Sequence, residues 1–341
     1  MPVDPLPSLA QPAPHDPDFL RERARDLAGM QLDGELRVLR DTSNFMMIDR
    51  GDILDLGGHP YLVCGNEREG RFGIDEQPKY WVKRAVSLLN GQTYIVKLVF
   101  HESFNTPVDG EHYACERSAL KEAQVLDAVR GHPNFMHGRA VLDEGGNLVR
   151  VIDFIEGDTL LQYLGDLAMT HEQYVEQLLP QVLSETYDCI SGIAYLHGQD
   201  LCHGDIRNDH IIIDGHTRWY RWIDFDFTRP SLEFDLWSLG NVLNCVLAKG
   251  FVTFHGLRTS RPDLLARLTD EDASAFFRHR LMNLDKIYPH LPPGLTPILR
   301  RFAAGSCARY QRADQILDDL GACMHALGWW RRGQRSEEVN R

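Results

Sequence analysis

Two aspartates on neighbouring loops set the chemical question in this chain. The stretch LCHGDIRNDHIIID puts Asp205 on a loop after a long helical pattern, and WIDFDF puts Asp224 on a second loop after a strand-like run. Such a pair suits phosphoryl transfer, in which one carboxylate orients an attacking hydroxyl and takes its proton while the other holds a metal bridging nucleotide phosphates. Either aspartate alone is equally well a turn cap. His203, His210 and His216 nearby offer a metal hydrolase as another reading, although their spacing fits no zinc pattern.

The elements that must position these groups fall into a β-rich part and a helical part. Residues 1–17 are proline-rich and predict a disordered arm, and 18–60 form an N-terminal extension that opens with a short helix at Asp18 to Met30. The runs YLVCG, KYWVKRAVSLL and TYIVKLVF predict strands, the last two joined by a tight hairpin at Asn90-Gly91. A helix is expected from about Glu111 to Arg130, with Leu120, Ala123, Val125, Leu126 and Val129 as its apolar stripe and His132-Pro133-Asn134 as its stop. GRAVLDE and LVRVIDFI enclose a Gly145-Gly146-Asn147 turn. Beyond Gly157 a long helix is expected from Glu172 to Gly198, with Pro180 tolerable only near its start or at a kink. Short strands around Ile211 to Ile213 and Tyr220 to Ile223, the apolar helix FDLWSLGNVLNCVLA and further helices complete the chain. The expected division is 61–157 and 158–330, with a tail at 331–341.

Composition narrows the partners. With 341 residues, 43% hydrophobic and 25% charged, the chain can bury a sizeable core. Lys plus Arg total 36 against 49 Asp plus Glu, a net charge of −13, which speaks against nucleic acid and anionic membrane as partners. The N-terminal MPVDPLPSLAQPAPHD has neither the basic nor the apolar region of a signal peptide, so a cytoplasmic protein is expected. Seven scattered cysteines, never in a CxxC pair, predict neither a disulfide framework nor a Cys-rich zinc site.

Taken together, these residues resemble the protein kinase superfamily, in order, over about Tyr61 to Leu320. HGD stands where the family has His-Arg-Asp, and DFD where it has Asp-Phe-Gly. The resemblance implies an α+β, bilobal kinase-like fold with a β-rich N-lobe carrying one helix and a mainly helical C-lobe. It implies ATP with Mg²⁺ or Mn²⁺, Asp205 as catalytic base, Asp224 as metal ligand and Lys97 as the lysine on the α and β phosphates. Glu122 in LKEAQVL matches that lysine's carboxylate partner, with Glu116 as the alternative. EGRFG resembles the end of the Gly-rich loop, where Gly70 and Gly73 would let backbone N–H groups approach phosphate; an ordinary turn is the plainer reading. VRVIDFIEGDTL looks like the hinge, which would put Ile152 at the gatekeeper, set Asp153 C=O and Ile155 N–H on adenine and let Asp158 reach the ribose. Asp235 in FDLWSLGNVL would anchor the catalytic loop, and Arg309 stands at the family's structural arginine.

The sequence also departs from the family. His210 replaces the metal-binding Asn, and imidazole suits softer cations than Mg²⁺. Asp226 replaces a glycine and could add a carboxylate to the metal, or accept within a turn. Gly204 replaces the arginine that reads a phosphorylated activation segment, and Arg207 takes the place of a lysine that supports the transferred phosphate. Between Asp226 and Asp235 lie only FTRPSLEF, eight residues spanning at most about 28 Å. That leaves no peptide platform and predicts no activation-segment phosphorylation switch. The expected function is therefore ATP-dependent transfer of the γ-phosphate to the hydroxyl of an unidentified protein or small molecule. A pseudokinase scaffold and a small-molecule kinase are the alternatives.

Overall fold

The computed structural model of the chain describes residues 16–69, 77–108, 111–228 and 231–329. In chain order the elements are α1 (Pro17–Ala28), β1 (Val38–Leu39), β2 (Ile53–Leu56), β3 (His59–Glu69), β4 (Gln77–Ser87), β5 (Thr93–Lys97), β6 (Ser103–Val108), β7 (Glu111–Arg117) and α2 (Ala119–Ala128). These are followed by β8 (Gly138–Leu142), β9 (Leu148–Asp153), β10 (Gly157–Thr159), α3 (Leu160–Asp166), α4 (His171–Gln177), α5 (Leu179–His197), β11 (Ile211–Asp214), β12 (Tyr220–Trp222) and β13 (Phe227–Thr228). Helices α6 (Glu233–Ala248), α7 (Phe254–Ser260), α8 (Pro262–Leu265), α9 (Leu295–Arg300) and α10 (Ala313–Ala326) complete the described residues. The architecture is α+β. Two compact units form, one from residues up to Phe100 with Gly138–Phe154, the other from His101–His137 with Ile155 onward.

The first unit is a seven-stranded sheet in the order β1-β2-β3-β4-β5-β9-β8. Period-two alternation puts Tyr61, Val63, Ala85, Val96, Val149 and Val151 in one buried cluster with Leu54 and Leu56. The opposite face carries Lys97, because it follows Val96 directly. Asn90-Gly91 makes the turn from β4 to β5 with Gly91 at φ +75°. Helix α1 starts on Asp16, which accepts the N–H groups of Asp18 and Phe19, and ends on Gly29 in the left-handed region. Its Leu20 and Ala24 pack with Ile53, Leu62 and Leu88, so the extension contributes to the core of this unit.

The second unit holds the remaining helices and two small antiparallel sheets, β10-β11-β12 and β13-β7-β6. The helix expected over Glu111 to Arg130 is shorter than its sequence pattern suggested. Residues Glu111–Arg117 are the strand β7, and Ser118 caps α2 by accepting the N–H of Lys121 at 3.1 Å. Of the expected apolar stripe, Val125, Leu126 and Val129 are buried, but Leu120 is 61% exposed and Lys121 and Glu122 are buried in its place. The helix expected over Glu172 to Gly198 is two helices, broken at Leu178, with Pro180 in the first turn of α5 where its missing N–H costs nothing. Helix α6 is buried on nearly all sides, as its apolar sequence requires.

Candidate active site

The loop after α5 is held from below by Asp235 in the first turn of α6. Its carboxylate accepts the N–H of His203 at 2.7 Å, the N–H of Gly204 at 2.8 Å and Nε2–H of His197 at 3.0 Å. Burial alone would raise this carboxyl, but His197, the nearby His203 and the Gly204 N–H hold it below the ordinary carboxylate value. His203 is fully buried between the rings of Trp222 and Phe225, and that burial pushes its pKa down to about 3. The Asp205 N–H donates to His203 Nδ1 at 3.3 Å, which fixes the neutral tautomer with the proton on Nε2. Backbone and imidazole together therefore aim Asp205.

His210 links the two carboxylate loops. Its Nδ1–H donates to the Asp205 carbonyl at 2.8 Å and lies 3.6 Å from the Asp205 carboxylate, while Nε2 lies 3.8 Å from Asp224 Oδ2. The Ile223 N–H donates to the His210 carbonyl at 3.0 Å, which holds the loops in register. Asp224 itself sits at φ +60°, in the left-handed region that aspartate tolerates better than most residues. With Nδ1–H committed to a carbonyl, Nε2 is the ring nitrogen left facing Asp224. An imidazole nitrogen and a carboxylate on neighbouring loops are both donor types that a divalent cation accepts. No group of three His, Cys, Asp or Glu side chains arranged to hold a metal occurs among the described residues. A cation here would draw on His210 and Asp224 plus oxygens from outside the chain.

Asp226 lies elsewhere in the charge pattern. Its carboxylate is ion-paired with Arg117, whose guanidinium also donates to Glu102 at 2.9 Å and lies over the Phe227 ring at 4.3 Å. Both partners are buried, with side chains 2% and 5% exposed. Burial opposes the Arg117 charge, but Asp226 and Glu102 more than offset it and raise its pKa. Beside it, Lys121 Nζ donates to the carbonyls of His203 and Phe225, each at 2.6 Å. The family resemblance gave no reason to single out Arg117 or Lys121. One signal was available in the helical phase: Glu122, Val125, Leu126 and Val129 are spaced i, i+3, i+4, i+7, which turns Lys121 inward and Leu120 outward.

Gly204 has a steric reason to differ from the family arginine. It sits at φ +85°, and a Cβ would lie 2.1 Å from the Phe227 carbonyl oxygen. Strand β13 thus approaches the catalytic loop where a side chain would otherwise stand. Arg207 donates to both carboxylate oxygens of Asp209, and that charge together with His210 keeps the Asp209 carboxyl low against its burial.

The remaining expected residues divide between the units. In the first, Lys97 is 3% exposed and pairs in register with Val82 and Arg150. Arg150, itself 1% exposed on the same sheet face, donates to the Leu98 and Leu148 carbonyls. Ile152 shares that face and Asp153 ends β9. In the second, Glu122 is fully buried in α2, Glu116 lies in β7 opposite Ser103 and Thr228, and Asp158 pairs with Ile213. Ile155 begins the second unit's later segment. Gly70 and Gly73 lie outside the described residues.

Comparison with known proteins follows the same residues. A family model of the protein kinase domain matches residues 81–232. Serine/threonine-protein kinase KIN4 of Saccharomyces cerevisiae is 25% identical over 176 residues, covering 51% of this chain and 20% of that protein. Serine/threonine-protein kinase GRIK2 of Arabidopsis thaliana is 27% identical over 137 residues, covering 37% of this chain and 30% of that protein. The chain thus spans less than a third of the length of either relative. Among solved structures, the PknI kinase domain of Mycobacterium tuberculosis aligns at 15% identity with a TM-score of 0.47, over 77% of this chain and 96% of that one.

Proposed function

We propose that the chain, whose residues 81–232 match the protein kinase domain model, is a member of that superfamily and transfers the γ-phosphate of ATP to a hydroxyl acceptor. The observation that carries this reading is the placement of Asp205 and Asp224 about one imidazole, 3.6 and 3.8 Å from its two nitrogens. Asp205 acts as base, taking the acceptor's proton as its oxygen bonds to the γ-phosphorus and the bond to the departing ADP oxygen breaks. His210 Nε2 and Asp224 are the side chains that would hold a divalent ion, as the nitrogen and oxygen donors facing each other across the two loops. A bound ion supplies charge neutralisation on the phosphates. The imidazole donor favours Mn²⁺ over Mg²⁺ relative to a site with Asn. Asp226 enters the metal set only by giving up Arg117. Arg207, shared with Asp209, is the cation proposed for the transferred phosphate. Lys97, Glu122, Asp153, Ile155 and Asp158, with Gly70 and Gly73, keep the ATP-binding roles the resemblance gives them.

The acceptor is a small molecule or a protein that docks without a long activation segment, because eight residues separate Asp226 from Asp235. A reducing, cytoplasmic setting is proposed because the seven cysteines are scattered and never in a CxxC pair. No described helix is long and apolar enough to cross a membrane. Labelled-ATP turnover with Mg²⁺ or Mn²⁺, compared with Asp205→Asn, tests the proposal. A scaffold would instead show metal-dependent thermal stabilisation by ATP without turnover.

A further inference from the structure

The geometry points to Lys121 and Arg117 as positioning residues that hold the Asp205 and Asp224 loops in working register, a task requiring no phosphate on the segment after Asp226. This rests on the phosphotransfer reading above and goes beyond it to how the site is kept competent.

Lys121 is in the first turn of α2, and its buried ammonium reaches two loops at once. One bond goes to the carbonyl of His203, two residues before Asp205; the other goes to the carbonyl of Phe225, the residue after Asp224. Both are 2.6 Å, so a shift of either loop lengthens a bond from the same charge. Burial lowers the pKa of this lysine, while Cys202, Asp235, Asp226 and Glu122 oppose that effect. Arg117 secures the next residue along. It fixes the Asp226 side chain, Ser118 N–H donates to the Asp226 carbonyl at 2.7 Å, and Phe227 pairs with Arg117 in the β13–β7 ladder.

The rest of the local structure is built around these contacts. Gly204 has no side chain where the Phe227 carbonyl arrives, and the position its Cβ would take is 3.5 Å from Lys121 Nζ. The family arginine at that place answers to a phosphate added later. Here the cations come from β7 and α2, before the catalytic loops in sequence, and they are present in every copy of the chain. The short segment after Asp226 therefore pairs with the hairpin β6–β7 through β13.

The experiment measures labelled-ATP turnover and backbone amide hydrogen exchange in full-length wild type, Lys121→Met, Arg117→Gln and Arg117→Lys, with Asp205→Asn as the chemical reference. For Lys121→Met and Arg117→Gln, kcat should fall at least about tenfold with KM for ATP within about threefold, because positioning acts on the transition state. Amides of 203–205 and 225–227 should exchange faster, and Arg117→Lys should recover most of the loss. Unchanged kcat or unchanged exchange at these amides overturns the inference. If Lys121→Met does not fold, Lys121→Gln, which can still donate to a carbonyl, is read against the same criteria. If wild type shows no turnover that depends on Asp205, the phosphotransfer reading fails. Exchange then decides the clamp by itself: faster exchange upholds it and unchanged exchange removes it.

Discussion

His210 Nε2 stands 3.8 Å from Asp224 Oδ2 while its Nδ1–H is bound to the carbonyl of Asp205. One ring thus sets the separation of the two carboxylates, and the family's asparagine would offer a hard oxygen where this chain offers nitrogen. His210→Asn should shift metal preference toward Mg²⁺, lowering the ratio of Mn²⁺- to Mg²⁺-supported turnover by about tenfold. Steady-state rates across a titration of each metal measure this ratio. No change would remove His210 from the metal set.

The contact between Gly204 and β13 predicts intolerance of any side chain. In Gly204→Ala the Cβ meets the Phe227 carbonyl oxygen at 2.1 Å on a backbone at φ +85°. The expected destabilisation is about 2–4 kcal/mol, from strain plus a displaced strand. Urea unfolding gives the value, and Gly204→Arg, the family residue, should be no better tolerated.

Acid sensitivity should trace in part to His203. Its folded-state pKa is about 3 against an ordinary 6.5, so the unfolded chain binds the extra proton between those values. Stability contributed by this group is intact above about pH 6.5 and declines as pH falls, at up to about 1.4 kcal/mol per pH unit. Denaturation midpoints of wild type and His203→Gln between pH 7 and pH 4 should converge as pH falls. Parallel curves would contradict the assignment.

Phosphatase treatment should leave turnover within about twofold, since the loops are held by Arg117 and Lys121 and not by an acquired phosphate. Thr228→Ala, which removes a hydroxyl donating to the Glu116 carbonyl at 3.1 Å, should behave similarly apart from a small stability loss.

The fold was legible in the sequence wherever periodicity and turn chemistry agreed. β4, β5 and the Gly91 turn follow from alternation and Asn-Gly, and α6 follows from an unbroken apolar run. β6 and β7 were not legible, because EHYACER reads as the start of the helix that follows. Its pairing with Phe227 and Thr228, more than 100 residues away, is a tertiary choice that local propensity does not encode. Motif order was enough to single out Asp205, Asp224 and Asp235. Arg117 and Lys121 stayed hidden because their partners are main-chain carbonyls and a carboxylate that the motif appeared to reserve for metal.

The central claim is tested most directly by transfer or hydrolysis of the labelled γ-phosphate of ATP with Mn²⁺ or Mg²⁺, comparing wild type with Asp205→Asn. Loss of at least about a hundredfold in the variant, with ATP-induced thermal stabilisation retained, is the predicted result. Equal rates in the two proteins, or no turnover by wild type with either metal, would contradict it.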